Sequence, residues 1–219
     1  MILSTAYLPP VSWLALLLRD ATLSPDRVFC PPVLLEACES YTKQTWRNRC
    51  LVLGPNGVEM LQVPVVHGPS MAIREIRVDY STPWVIRTVR TLDTNYESSP
   101  YYYYYKDGFA DLLGRGIPLL WDLNLALTEH CLSLLGLPSP LRPTTEFAHP
   151  GTVADDYRYT LSPKLPDTVL ADLGLERPWW QVFSNKFGFT PGLSILDLLF
   201  NEGPAATSWL MKASSFGGM

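Results

Sequence analysis

The chain has 219 residues, 47% of them hydrophobic and 17% charged, which is material for one sizeable core rather than a disordered chain. Its net charge of −4 argues against a nucleic-acid binder, which needs a basic excess to neutralise phosphates. The charge is uneven. Between Thr42 and Leu92, seven cations (Lys43, Arg47, Arg49, Arg74, Arg77, Arg87, Arg90) face three anions (Glu59, Glu75, Asp79), while six cations face ten anions beyond residue 120. A local +4 inside an acidic protein suits a small anionic or sugar-phosphate ligand.

Met1–Tyr7 reads as an opening strand, broken by Pro9-Pro10, and Val11–Arg19 as a buried helix. The apolar stretch Val11–Leu18 is too short to span a membrane. No Lys or Arg precedes it, and Pro9-Pro10 would interrupt a leader, so a cytoplasmic protein without membrane insertion is expected. Arg27–Phe29 is a short strand candidate and Val33–Tyr41 a helical one. Cys30, Cys38, Cys50 and Cys131 show neither CxxC pairing nor zinc-like spacing, which predicts free thiols in a reducing compartment.

Arg49–Leu53 and Val58–Val66 are rich in Val and Leu and flank Gly54-Pro55-Asn56-Gly57, so they predict a hairpin. Ile73–Asp79 alternates and predicts another strand. Ser81-Thr82-Pro83 then supplies a cap and a first-turn proline for a helix carrying Val85, Val89, Leu92 and Tyr96 on one face. Leu119–Leu135 is the clearest helix, with Leu120, Leu123, Leu127, Cys131 and Leu134 as its stripe and Gly136 as its stop. Pro138–Pro166 reads as a long proline-rich loop and a candidate lid. Trp179–Phe183 is a late strand candidate, Gly192–Phe200 an apolar helix, and Ala205–Ala213 a closing one. The expectation is a single α/β or α+β domain over residues 1–219. It has a mixed sheet from the N-terminal half and a mostly helical second half.

Several blocks carry a resemblance: Ser4-Thr5-Ala6-Tyr7-Leu8-Pro9-Pro10 with Trp13-Leu14, then Tyr41 through Arg47-Asn48-Arg49, Pro64-Val65, Ile73-Arg74-Glu75-Ile76-Arg77-Val78 with Trp84, and Pro191 through Pro204. In this order they resemble the bacterial WbqC-like family over nearly the whole chain. That resemblance implies an enzyme or accessory enzyme of cell-surface polysaccharide synthesis, one that modifies an activated amino sugar or transfers a small group to it. Many relatives carry an acidic pair just before the Arg-Asn-Arg block. Here that stretch is Leu35-Glu36-Ala37-Cys38-Glu39, a departure from the pattern.

Arg47 and Arg49 alternate on an extended segment and so share a face, and two guanidiniums there invite an anion between them. The alternative is an ion pair with a carboxylate elsewhere in the fold. Asn48, Tyr7 and Arg77 are further ligand-binding candidates. Arg74 falls on the opposite strand face from Arg77. Arg87 and Arg90 share a helix face and read as solvated. Ser194, Asp197 and Asn201 form a polar stripe on an apolar helix, and a buried Asp197 needs a partner, for which the Arg47/Arg49 pair is one candidate. Either this is a site with Asp197 as base, or Ser194 and Asp197 form a helix-capping pair.

His67, after the strand Val58–Val66, is the second base candidate. His130 reads as a core histidine and His149 as an exposed one. Cys38 or Cys50 with His67 is a remaining nucleophile pairing. The five tyrosines Tyr101–Tyr105 suit either a recognition surface or the wet rim of the core. No HExxH, GxSxG or phosphate-cradling glycine loop occurs, so neither metal nor cofactor is expected. The rival to an enzyme is a non-catalytic interaction protein with structural arginine blocks.

Overall fold

In the computed structural model the described residues are 1–24, 27–66, 68 and 71–211. The chain opens with β1 (Ile2–Ser4), whose short apolar run is buried, and turns at Tyr7-Leu8-Pro9-Pro10 into α1 (Val11–Leu17), buried along its whole length. Two short antiparallel strands follow, β2 (Thr22–Ser24) and β3 (Arg27–Phe29). The segment expected to start a helix at Val33 is instead β4 (Val33–Glu36). The run is short and apolar, and β1 offers it a parallel edge whose register pairs Ile2 with Leu34 and Ser4 with Glu36.

The hairpin forms as its sequence requires, with β5 (Arg49–Gly54) antiparallel to β6 (Gly57–Gln62) around Pro55-Asn56. Gly57 takes φ +114°, which no side-chain-bearing residue adopts cheaply. The strand expected over Ile73–Asp79 shrinks. A 3-10 turn covers Ile73–Glu75, and only β8 (Arg77–Val78) pairs, with β7 (Val65–Val66).

Helix α2 (Trp84–Tyr96) begins one residue after Pro83 without the side-chain cap its sequence suggested; the Asp79 carboxylate caps the Ser81 N–H instead. The tyrosine run opens α3 (Tyr102–Gly114), burying Tyr102 and exposing Tyr103 and Tyr104. Next is α4 (Leu120–Leu134), which buries Leu120, Leu123, Leu127 and Cys131 and stops at Gly136 with φ +68°.

The expected long loop holds one strand, β9 (Leu141–Pro143), parallel to β4, so the main sheet runs β1-β4-β9. Beyond it the loop is tied down. Ile2 donates its N–H to the Asp155 carbonyl (2.8 Å) and accepts from the Tyr157 N–H (3.1 Å), adding a parallel bridge on the free side of β1. The short α5 (Val169–Asp172) and α6 (Ser184–Phe187) follow, and Trp179–Phe183 is not a strand. The chain then forms α7 (Ile195–Glu202) and α8 (Ala205–Met211). Leu196 and Leu199 are fully buried, as their apolar helix predicts.

The class is mixed α/β, as composition and pattern indicate, although the strands among the described residues form four small sheets rather than one. No helix among the described residues is long and apolar enough to cross a membrane. All four cysteines are free thiols.

Candidate functional site

Parallel strands all present their carboxyl ends on one edge, and open α/β sheets place ligands beyond that edge. Here the edge gathers Ser4 from β1, Glu36 and Glu39 from β4 and its continuation, and Thr144 just past β9. Two arginines close over it. Arg47 donates Nε to Glu39 Oε1 (2.8 Å) and Nη2 to Glu39 Oε2 and to Ser4 Oγ (2.6 Å). Arg158 donates Nη1 to Glu36 Oε2 (2.7 Å), and Nε and Nη2 to the two oxygens of Asp156 (2.9 and 2.6 Å). The Arg158 guanidinium stacks between the rings of Phe147 and Tyr159, 5.3 Å from each centroid. Its hydrogen bonds hold the Asp156 carboxyl below the usual carboxylate range.

The two glutamates differ in what they have left. An ionised carboxylate offers about four acceptor positions. Glu36 fills all of them: Oε1 takes the Cys38 N–H and the Thr144 hydroxyl, and Oε2 takes the Ala148 N–H and Arg158. Among the described residues Glu39 takes three donors, two from Arg47 and one from the Ser4 hydroxyl (3.2 Å). Glu39 also lines a surface cavity of about 320 Å³ with Cys38, Ser40, Thr42, Phe147 and Tyr159. By contrast, the crevice between Arg47 and Arg158 has about 10 Å³, room for one water. The network holds two cations and three anions.

Arg47 sits in a turn before β5, not on an extended segment, so it does not share a face with Arg49 by strand alternation. The place expected for an anionic ligand beside Arg47 holds Glu39. Arg49 is half-buried on β5, and its Nε has no partner among the described residues. Asn48 is buried and donates to the Val63 carbonyl (3.0 Å), and Asn124 of α4 donates to the Arg47 carbonyl (2.7 Å), fixing that turn. Arg77 is exposed on β8. Tyr7 is fully buried, its N–H bonded to the Trp46 carbonyl, and burial raises its hydroxyl well above the usual value.

Asp197 does not join the arginines. It is buried in a second cluster, where Trp179 Nε1 (2.7 Å) and Gln181 Nε2 (2.9 Å) donate to Oδ2 and the Tyr96 hydroxyl donates to Oδ1 (3.1 Å). Burial pushes its carboxyl up to about 6, against the pull of those three donors. Ser194 is the α7 N-cap, accepting from the Leu196 N–H (3.3 Å) and donating to the carbonyl of Leu8, a leucine held at φ +42°. Asn201 donates to the Asp197 carbonyl and accepts from Ser99. The stripe is thus half a capping arrangement: Ser194 caps, while Asp197 points to Tyr96, Trp179 and Gln181.

His67 lies outside the described residues. His130 is half-buried against Phe109, and burial lowers its pKa; His149 is exposed beside Phe147. Cys50 is fully buried with its thiol pushed up, whereas Cys38 is exposed at the cavity wall. Among the described residues no three His, Cys, Asp or Glu side chains gather as a metal-holding group. Glu36, Glu39, Asp156 and Arg158 were not singled out from sequence as site residues. The available signal was Glu36 and Glu39 themselves, two carboxylates beside an apolar run that buries them.

A family model described as the WbqC-like protein family matches residues 32–164. A protein of Mycobacterium tuberculosis (strain ATCC 25618 / H37Rv), named "Uncharacterized protein Rv1507c", is 29% identical over 193 residues, covering 78% of this chain and 83% of its own. No solved structure matches the chain. The matched segment contains every charged member of the sheet-edge network, while Tyr7, Ser194, Asp197 and Asn201 fall outside it.

Proposed function

The chain belongs to the WbqC-like protein family, and from that premise we propose that it is an enzyme or accessory enzyme of cell-surface polysaccharide synthesis that takes an amino sugar at the carboxyl edge of the parallel sheet. The observation that carries this reading is Glu39, a carboxylate with a spare acceptor position that also lines the 320 Å³ cavity. A net-negative network draws an amine or hydroxyl donor and disfavours a phosphate. Arg47 holds the Glu39 carboxylate through both oxygens and so orients it to position the donor group. Tyr159, half exposed, and Phe147 offer ring faces against which the C–H face of a sugar packs. Modification of the sugar, or transfer of a small group to it, is the reaction class this reading assigns.

Thermal unfolding tests it. Glucosamine at millimolar concentration should raise the melting temperature by mass action. Tyr159→Ala should remove that rise, read against the variant's own unliganded melting temperature because the ring also stacks on Arg158. No rise in the wild type with glucosamine or N-acetylglucosamine would end the amino-sugar reading. A second reading, a non-catalytic interaction protein with structural arginines, draws on the spent guanidiniums and the 10 Å³ crevice between them. It expects no sugar response at all.

A further inference from the structure

We propose that the groove between the β5–β6 hairpin and α2 is a second ligand site, one that receives the phosphoryl groups of a small organic phosphate such as a nucleoside diphosphate. Two adjoining cavities of about 330 and 210 Å³ share Thr91 as a common wall, giving together the space of a small-molecule site. Arg87 borders the first and Arg90 the second. Both are exposed, stand one helical turn apart on α2, and have no ion pair among the described residues. Two unpaired guanidiniums on one helix face repel until an anion lies between them, and their planar forks match phosphate oxygens. The carboxylate on the groove is Glu59, so the local balance is positive.

An independent observation points to a ligand. Trp84 and Asn95 are 3% and 1% exposed, one lines each cavity, and among the described residues the indole Nε1 and both amide atoms have no hydrogen-bond partner. Buried polar atoms of native proteins nearly always have partners. Glycine at 54 lets the amide stand there, since a Cβ at that position would meet Asn95 Oδ1 at 2.8 Å as well as the Glu59 carboxylate. The hydroxyls of Thr91 and Thr94 turn back onto the carbonyls of Arg87 and Arg90 (3.0 and 2.9 Å), which leaves the two guanidiniums and the Gln62 amide as the exposed donors of the groove, with the indole and the Asn95 amide buried behind them. At the Arg87 end, Met60 and Pro64 supply an apolar wall for a base or sugar ring. Charge is thus sorted between the two places: the sheet edge is net negative and this groove net positive.

Calorimetric titration with UDP and with inorganic pyrophosphate tests the site. Both should bind, UDP more tightly if the apolar end is used and equally if the phosphoryl groups alone are read. Arg87→Ala and Arg90→Ala should each weaken UDP about tenfold, and the double variant should abolish binding with an unchanged melting temperature, as both side chains are exposed. Trp84→Phe keeps the ring's packing, deletes the N–H and should also weaken UDP. Arg115→Ala, exposed beyond the end of α3, should bind as the wild type. The proposal is overturned if the wild type binds neither probe or only UDP, if the double variant binds as the wild type, or if Arg115→Ala weakens UDP as much as Arg87→Ala. No probe used here is an amino sugar, so this site and the sheet-edge reading fail separately.

Discussion

The network at the sheet edge holds five charged side chains, and the cluster around Asp197 holds one. In the first, guanidiniums pair carboxylates so that each buried charge is offset at short range. In the second, a lone carboxylate is held by an indole, an amide and a phenol, none of which carries charge. The consequence is visible in their acidity: Asp156 is held down by Arg158, while Asp197 is pushed up to about 6 by burial. Ion pairing keeps a buried carboxylate charged, and neutral hydrogen bonds only soften the cost of its charge.

That difference is easiest to break at Arg158. Arg158→Met should destabilise by about 3–5 kcal/mol in urea denaturation, because Glu36 and Asp156 lose their shared cation. The companion Glu39→Leu/Arg47→Met, which removes both members of the other pair, should cost much less than Arg47→Met alone. Equal losses would mean that Arg47 matters for packing rather than charge.

The next effect is on pH dependence. The folded-state pKa of Asp197 is raised above its ordinary 3.8, so the native state holds the proton more tightly than the unfolded chain. Its contribution is fully favourable below about pH 4 and is lost as pH rises through about 6, a swing on the order of 3 kcal/mol. Asp156 works in the opposite sense, since its depressed pKa gives stability that is present above about pH 4 and lost on acidification. Asp197→Asn should therefore flatten the stability profile between pH 4 and 6 and leave the acid limb in place. Parallel wild-type and variant curves across that window would show that Asp197 titrates normally. The smallest effect belongs to Ser194→Ala, which removes the α7 cap and its hold on Leu8, and should cost about 1 kcal/mol.

The sequence was most legible where local chemistry decides. Gly54-Pro55-Asn56-Gly57 makes the hairpin, and Gly136 ends α4, because backbone conformation there depends on the residue itself. Val33–Glu36 differs from the helical expectation because a short apolar run becomes a strand only when a partner edge is offered, and that edge comes from Ile2–Ser4. Helix α3 escaped because five tyrosines show no polar face to count. The need of Asp197 for a partner was legible, yet its partners lie at 96, 179 and 181, spacings that no periodicity relates. Arg47 stood out while its carboxylate, eight residues upstream, was read as part of a helical turn. Asp156 and Arg158 fell in a stretch taken for a lid; backbone bonds to Ile2 and the Glu36 pair anchor it instead.

The bridge from Ile2 to Asp156 also has a bearing on biosynthesis. Residues about 150 apart in the chain must meet before β1 has neighbours on both sides and before Arg158 can neutralise Glu36. At ordinary elongation rates of about 5–20 residues per second, the first strand waits on the order of ten seconds or more after its own synthesis. Throughout that interval the nascent chain carries an unfinished apolar edge and a carboxylate without its cation. The sheet edge that gathers the network is therefore completed late, and contacts of such long sequence separation slow folding as a whole. A nascent-chain proteolysis series should find β1 protected only once the chain has been extended well past residue 158.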